Sequence, residues 1–155
     1  MHNTHSMDTE NMSTRLNIQY ESHPNPDDIQ ILHDGIMAHA KTQKNQKPLE
    51  FFHYFIRDED SQIQGGCFGC TLYGALYIDT LWVSQHLRHQ GYGAELVKAA
   101  EQFGTQHNCT FANVNTFDWE ALDFYKKLGF EIEFVRHGYD NDSSFYFLRK
   151  QLLIG

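Results

Sequence analysis

Residues Leu81-Trp82-Val83 are followed by a short turn and then by Arg88-His89-Gln90-Gly91-Tyr92-Gly93. An apolar strand thus runs into a loop of spacing R-x-x-G-x-G. A helical pattern over 94–107 follows directly. That order gathers several backbone N–H groups at a helix N-terminus, where the helix dipole favours an anion. Glycines at positions 91 and 93 leave no Cβ to block close approach of a phosphate or pyrophosphate. Other phosphate motifs fit poorly. There is no G-x-x-x-x-G-K-[ST], and Leu96 stands where the third glycine of G-x-G-x-x-G would fall.

Downstream, residues 111–116 read as a buried strand. Asp118 is placed to cap a helix over 119–128, which Gly129 then ends before a strand begins at Phe130. Within that stretch lies A-x-x-x-Y-x-x-x-G-F, carried by Ala121, Tyr125, Gly129 and Phe130. Taken with L-x-V and R-x-x-G-x-G at this separation, the pattern resembles the GNAT superfamily of N-acetyltransferases. The runs from Tyr77 to Val83 and from Thr116 to Ala121 resemble its small bacterial single-domain members. The likeness covers residues 49–152 well and 14–48 more loosely.

The resemblance implies acetyl-CoA as cosubstrate and a primary amine as acceptor, attacked directly in a ternary complex. It implies that the main chain of Leu81, Trp82 and Val83 holds the pantetheine arm, in a gap facing Val114 and Asn115. Arg88, His89, Gln90, Gly91, Tyr92, Gly93 and Ala94 would surround the pyrophosphate, with Gln90 departing from the basic or glycine residue often found there. Tyr125 matches the tyrosine that protonates or hydrogen-bonds the departing thiolate. Asp118 replaces an asparagine that contacts the cofactor in many members, and a carboxylate cannot donate a hydrogen bond. The glutamate base of many members is replaced by Tyr77. Asp79, two residues on, is the candidate base and shares a face with Tyr77 if the strand is regular. The alternative is a non-catalytic acyl-CoA-binding or protein-interaction module on the same fold. The acceptor stays open between polyamines, aminoglycoside-like antibiotics, amino acids, protein N-termini and lysines. A homodimer is a further possibility.

The elements that must position these residues follow from periodicity. Alternation over 15–21 predicts a first strand, and Asp27 or Asp28 starts a helix to about Lys41 with Ile29, Leu32, Ile36 and Ala40 on one face. Strands over 49–57, 62–72 and 75–83 form an antiparallel meander. The 94–107 helix, the 111–116 strand, the 119–128 helix and strands from 131 and 145 complete the chain. The polar stretch 138–144 reads as a loop. The fold class is α+β, a twisted mixed sheet of six to seven strands with helices on both faces. Residues 1–13 read as a disordered leader, and 14–155 as one domain.

Composition sets limits. A chain of 155 residues with 41% hydrophobic content can build one core. A net charge of -8 argues against nucleic acid and suits a cationic substrate. No apolar run has bilayer length and no signal peptide opens the chain, so a cytoplasmic location without membrane contact is expected. Three cysteines disfavour a disulfide framework. Cys67 and Cys70 have C-x-x-C spacing, but three residues apart on a strand they face opposite ways, and no metal site is expected. The aromatics Phe51, Phe52, Tyr54, Phe55, Tyr73 and Tyr77 are candidates for an acceptor pocket.

Overall fold

A computed structural model describes residues 14–153; the expected leader lies outside the described residues. The chain divides into two units, one up to His39 and one from Ala40.

In the first unit the expected strand over 15–21 does not form, and residues 14–21 carry no regular structure. Leu16, Ile18 and Tyr20 are almost fully exposed. Alternation makes a strand only where a neighbouring strand takes up its backbone groups and a core takes one face. Helix α1 spans Pro26–Lys44, slightly longer than expected. Pro26 suits the first helical position, and the Asn25 side chain accepts the Asp27 N–H at 3.0 Å. Asp27 and Asp28 in the first turn and Lys41 and Lys44 in the last complement the helix dipole. None of its residues is buried.

The second unit holds the sheet. Strands β1 (Phe51–Arg57), β2 (Ile63–Leu72) and β3 (Ala75–Val83) form the expected antiparallel meander. Asp58 shapes the first turn, its carboxylate accepting the N–H groups of Asp60 and Gln62, each at 2.9 Å. Helix α2 (Tyr92–Gln106), β4 (Phe111–Phe117), α3 (Leu122–Lys127), β5 (Glu131–Tyr139) and β6 (Ser143–Gln151) follow. The six strands lie in the order β1-β2-β3-β4-β6-β5, and only β3 and β4 run parallel. The α+β mixed sheet is therefore as expected, with six strands because the first candidate stays unpaired.

Leu76 and Ile78 of β3, Val114 of β4 and Leu148 of β6 point into one core. Leu96, Val97 and Ala100 of α2 and Tyr125 of α3 join it. Burying each large apolar side chain contributes about 1.5–3 kcal/mol. Gly104 lets α2 settle closely, since a Cβ there would stand 3.1 Å from Leu76 Cβ. Helices α2 and α3 thus pack on one face of the sheet. Helix α3 is shorter than the expected 119–128. The reason is local: Thr116 Oγ1 accepts the Ala121 N–H at 3.1 Å, and the Glu120 carboxylate accepts the Phe117 N–H at 3.3 Å. These bonds hold 117–121 as a turn. The expected 138–144 loop shrinks to a tight turn over Asp140–Asp142, and β5 and β6 extend into it as a hairpin. Among the described residues, no helix is long and apolar enough to cross a membrane, and no group of three or more His, Cys, Asp or Glu could hold a metal ion.

Candidate active site

The site begins where the parallel pair stops. β3 and β4 are in register from Ala75 opposite Phe111 to Ile78 opposite Val114, and no further. Beyond that point β3 stays with β2, as far as Val83 opposite Gly65. β4 stays with β6, as far as Phe117 opposite Phe145. The two strands therefore part, and the edges of Asp79–Val83 and 115–117 are left unpaired towards each other.

A bulge accompanies the parting. On β2, Phe68 pairs with Thr80 and Gly69 with Ile78, so Asp79 is an extra residue with no opposite number. An extra residue bends its strand and increases the twist. Gly69 is required beside it, because a Cβ there would collide with the Tyr77 carbonyl oxygen. The bulge also resets the alternation. Tyr77 and Trp82 come to one face, while Leu81 and Val83 turn towards the core.

The strand end feeds the glycine loop. Arg88 Nε donates to the Val83 carbonyl at 3.0 Å, and Gln90 Nε2 to that of His86 at 3.0 Å. His89 and Gly91 both take left-handed backbone, with φ of 61° and 90°. Gly91 is the N-cap of α2, and a Cβ there would meet open space. Its role is conformational, together with leaving the loop's outer side bare. Gly93 differs: a Cβ would come 3.1 Å from the Phe124 ring, so it serves the packing of α2 on α3. By helix geometry the N–H groups of Tyr92, Gly93 and Ala94 have no acceptor within α2. They collect at the positive end of a helix of 15 residues.

Tyr125 sits on α3 with only 6% of its surface exposed. Phe124 and Phe130 meet its ring edge-on, with centroids 5.1 and 5.5 Å away. Burial pushes its phenol well above the ordinary range, with Cys67 and Glu120 adding to the effect. The phenol therefore stays protonated at neutral pH and presents an O–H donor.

On the opposite face of the sheet, Tyr77, Asp79, Cys70 and Asn115 form a polar patch at the root of the gap. Burial raises the Tyr77 phenol, with Asp79 and Cys70 contributing, while a hydrogen bond from the Asn115 side chain opposes the rise. Asp79 is exposed and accepts from Thr80 Oγ1 at 2.9 Å. Asn113 Oδ1, in register with Tyr77, is buried without a hydrogen-bond partner. Cys67 and Cys70 do fall on opposite faces, Cys67 buried in the core.

Two expectations change. Asp118 does not cap α3. It exchanges hydrogen bonds with Ser144, its N–H donating to the Ser144 carbonyl at 3.0 Å and its carboxylate accepting the Ser144 N–H at 3.3 Å. The 117–121 turn holds it away from the helix start. Of the aromatics considered for a pocket, Tyr77 alone reaches the gap. Phe52 is in the core, Tyr54 packs on it, Phe51 and Phe55 lie on the edge strand β1, and Tyr73 is at the far end of β3. Sequence reasoning also missed an aromatic cluster at Phe117, Trp119, Tyr139 and Phe145. Its signal was the alternation in β4, which puts Phe117 on the face of Asn113 and Asn115.

A scan against protein families matches residues 13–130 to the acetyltransferase (GNAT) family. The chain belongs to that family. The splayed parallel pair and the glycine loop lie inside the matched region. Acetyltransferase Atu2258 of Agrobacterium fabrum is 28% identical over 99 residues, 64% of this chain and 72% of that protein. Blasticidin-S acetyltransferase of Streptomyces morookaense is 31% identical over 91 residues, 56% of this chain and 64% of that protein. The crystal structure of a putative acetyltransferase from Agrobacterium tumefaciens superposes with TM-score 0.77 at 24% identity, covering 88% of this chain and 99% of that one. A putative streptothricin acetyltransferase from Bacillus anthracis, solved in complex with acetyl coenzyme A, superposes with TM-score 0.60 at 23% identity over 68% of this chain and 64% of that one. This GNAT protein is accordingly an acyltransferase that uses acetyl-CoA. The residues present suit that donor: an unpaired strand edge for an amide-bearing arm, and a bare helix N-terminus for a pyrophosphate.

Proposed function

We propose that the protein transfers the acetyl group of acetyl-CoA to a primary amine on a small molecule, by direct attack at the root of the gap between β3 and β4. The observation that carries this reading is the end of β3–β4 pairing at Ile78 and Val114. A thioester arm laid along the free edge brings its reactive carbon to the level of Tyr77 and Asp79. The similarity to a blasticidin-S acetyltransferase supports a small-molecule acceptor.

The roles follow from position. The main chain of Leu81, Trp82 and Val83 pairs with the arm, with Asn115 facing it from β4. Arg88, His89, Gln90, Gly91, Tyr92, Gly93 and Ala94 form the pyrophosphate loop, Gly91 keeping its surface bare. Asp79 takes the proton lost by the amine as the new C–N bond forms, directly or through one water. Tyr77 and Asn115 orient that carboxylate and the amine. Tyr125 donates its O–H to the sulfur that leaves with the electron pair of the broken C–S bond. Bound acetyl-CoA supplies an activated acyl group, so no enzyme nucleophile is needed. Asp118 serves structure, tying the β4 end to β6.

The test has two parts. Acetyl-CoA binding is measured by calorimetry, and coenzyme A thiol release is followed across a panel of small amines and lysine peptides. Binding together with release on a small amine is the expected result. Release on lysine peptides alone, or binding with no release on any amine, refutes the reading.

A further inference from the structure

Beside the gap lies a cluster of aromatic side chains. Trp119 stacks on Phe117 at 5.5 Å with planes only 10° apart. Its indole N–H donates to Ser143 Oγ at 3.2 Å. Tyr139 meets Phe117 edge-on at 5.1 Å, and Phe145 lies 4.6 Å from the same ring. Yet Trp119 remains 68% exposed. An indole pinned on one side and open on the other has already lost its rotamer freedom, so a ligand that stacks on it loses little more.

Position ties this surface to the reaction. Phe117 is the last residue of β4 and shares the face of Asn115, which hydrogen-bonds Tyr77 at the root of the gap. Across the gap, Trp82 and Phe68 lie on the same face, 50% and 41% exposed. Asp79, whose carboxylate acts electrostatically on Tyr77 and Cys70, is the residue after Ile78, where β3 and β4 part. A negative group at the root and flat apolar walls above it complement a molecule with an ammonium at one end and a ring at the other. A linear polyamine or a lysine side chain would leave the walls unused.

We infer that Phe117, Trp119, Tyr139 and Phe145 form the body-binding half of the acceptor site, and that the acceptor is a primary amine carried on a planar ring-bearing molecule. The inference rests on the proposed amine acetylation but is tested apart from it. Calorimetry on the full chain compares tryptamine with 1-aminohexane, amines of the same class that differ in the ring. Tryptamine binds about tenfold more tightly. Trp119→Ala abolishes the difference and leaves acetyl-CoA affinity unchanged; Trp119→Phe retains most of it. In turnover, the same tenfold appears in kcat/KM. Equal affinities for the two amines overturn the inference, as does a Trp119→Ala chain that keeps the preference. If the ring preference holds but no amine releases coenzyme A, the acetylation reading fails and the aromatic subsite stands.

Discussion

Replacing Tyr125 with Phe removes one oxygen and tests the chemistry at the sulfur. The ring keeps its place, held edge-on between Phe124 and Phe130 at 5.1 and 5.5 Å, so the fold should survive. Burial raises the phenol above its usual range. A thiol titrates near pH ~8.5, well below a phenol's ~10, so complete proton transfer from Tyr125 to a thiolate is uphill. Its work is therefore a hydrogen bond to developing negative charge. Such a bond is worth about 1.5–3 kcal/mol. At about 1.36 kcal/mol per factor of ten, Tyr125→Phe slows the chemical step about 10- to 150-fold. KM for acetyl-CoA stays within about twofold, because the bond is strongest in the transition state. Single-turnover coenzyme A release from pH 6 to 9 is the assay, since it isolates chemistry from product release. The loss should be the same throughout, as Tyr125 does not ionise in that range. A variant with the wild-type single-turnover rate sinks the argument. So does a loss that appears only with a large fall in thermal stability.

Four further outcomes are expected. Gly91→Ala forces a Cβ into backbone at φ 90°, lowering stability by about 1–2 kcal/mol and Tm by a few degrees, and it weakens acetyl-CoA binding in calorimetry. Asp79→Asn lowers kcat/KM at neutral pH, and activity recovers about tenfold per pH unit as free amine accumulates; a flat profile argues against Asp79 as base. Cys67, buried and pushed up to about 12 from 9.0, keeps its proton in the folded state when the unfolded chain has lost it. Stability thus falls as pH rises from 9 towards 12, by at most about 1.4 kcal/mol per pH unit, and urea melts of Cys67→Ala should lack that part of the slope. Leu148→Ala, emptying a fully buried core position, costs about 2–5 kcal/mol in the same melts.

Much of the sheet was legible because its signals are local. The meander carries alternation and tight turns, α2 carries an apolar stripe, and Gly129 marks the end of α3 at φ 93°. The glycine loop was legible for the same reason, since glycine at a strand-to-helix turn speaks of backbone. Where the reading failed, the decisive partner was distant in sequence. Residues 15–21 have the alternation of a strand but no paired edge. Asp118 has the chemistry of a helix cap, yet Ser144, far along the chain, claims both its N–H and its carboxylate. Trp119 sat inside an expected helix, where a stack on Phe117 has no sequence signature.

The break in alternation at Asp79 connects the fold to the site. A regular β3 would place Asp79 on the Tyr77 face and then bring Thr80, Leu81 and Val83 out of phase with Cys67 and Gly65 on β2. The extra residue lets Tyr77 face the polar patch while Leu81 and Val83 still reach the core. The same insertion twists β3 away from β4 just beyond Ile78. Gly69 bears the strain, because no side chain fits against the Tyr77 carbonyl. Gly69→Ala should therefore act at a distance. Its Cβ either displaces Tyr77 or expels the bulge, and both outcomes close or misalign the gap. Acetyl-CoA affinity should fall by tenfold or more in calorimetry, although Gly69 lies a strand away from the edge that binds it. Unchanged affinity in a folded Gly69→Ala chain would mean that the gap owes nothing to the bulge, and that the turn at Gly91 alone pulls β3 from its neighbour.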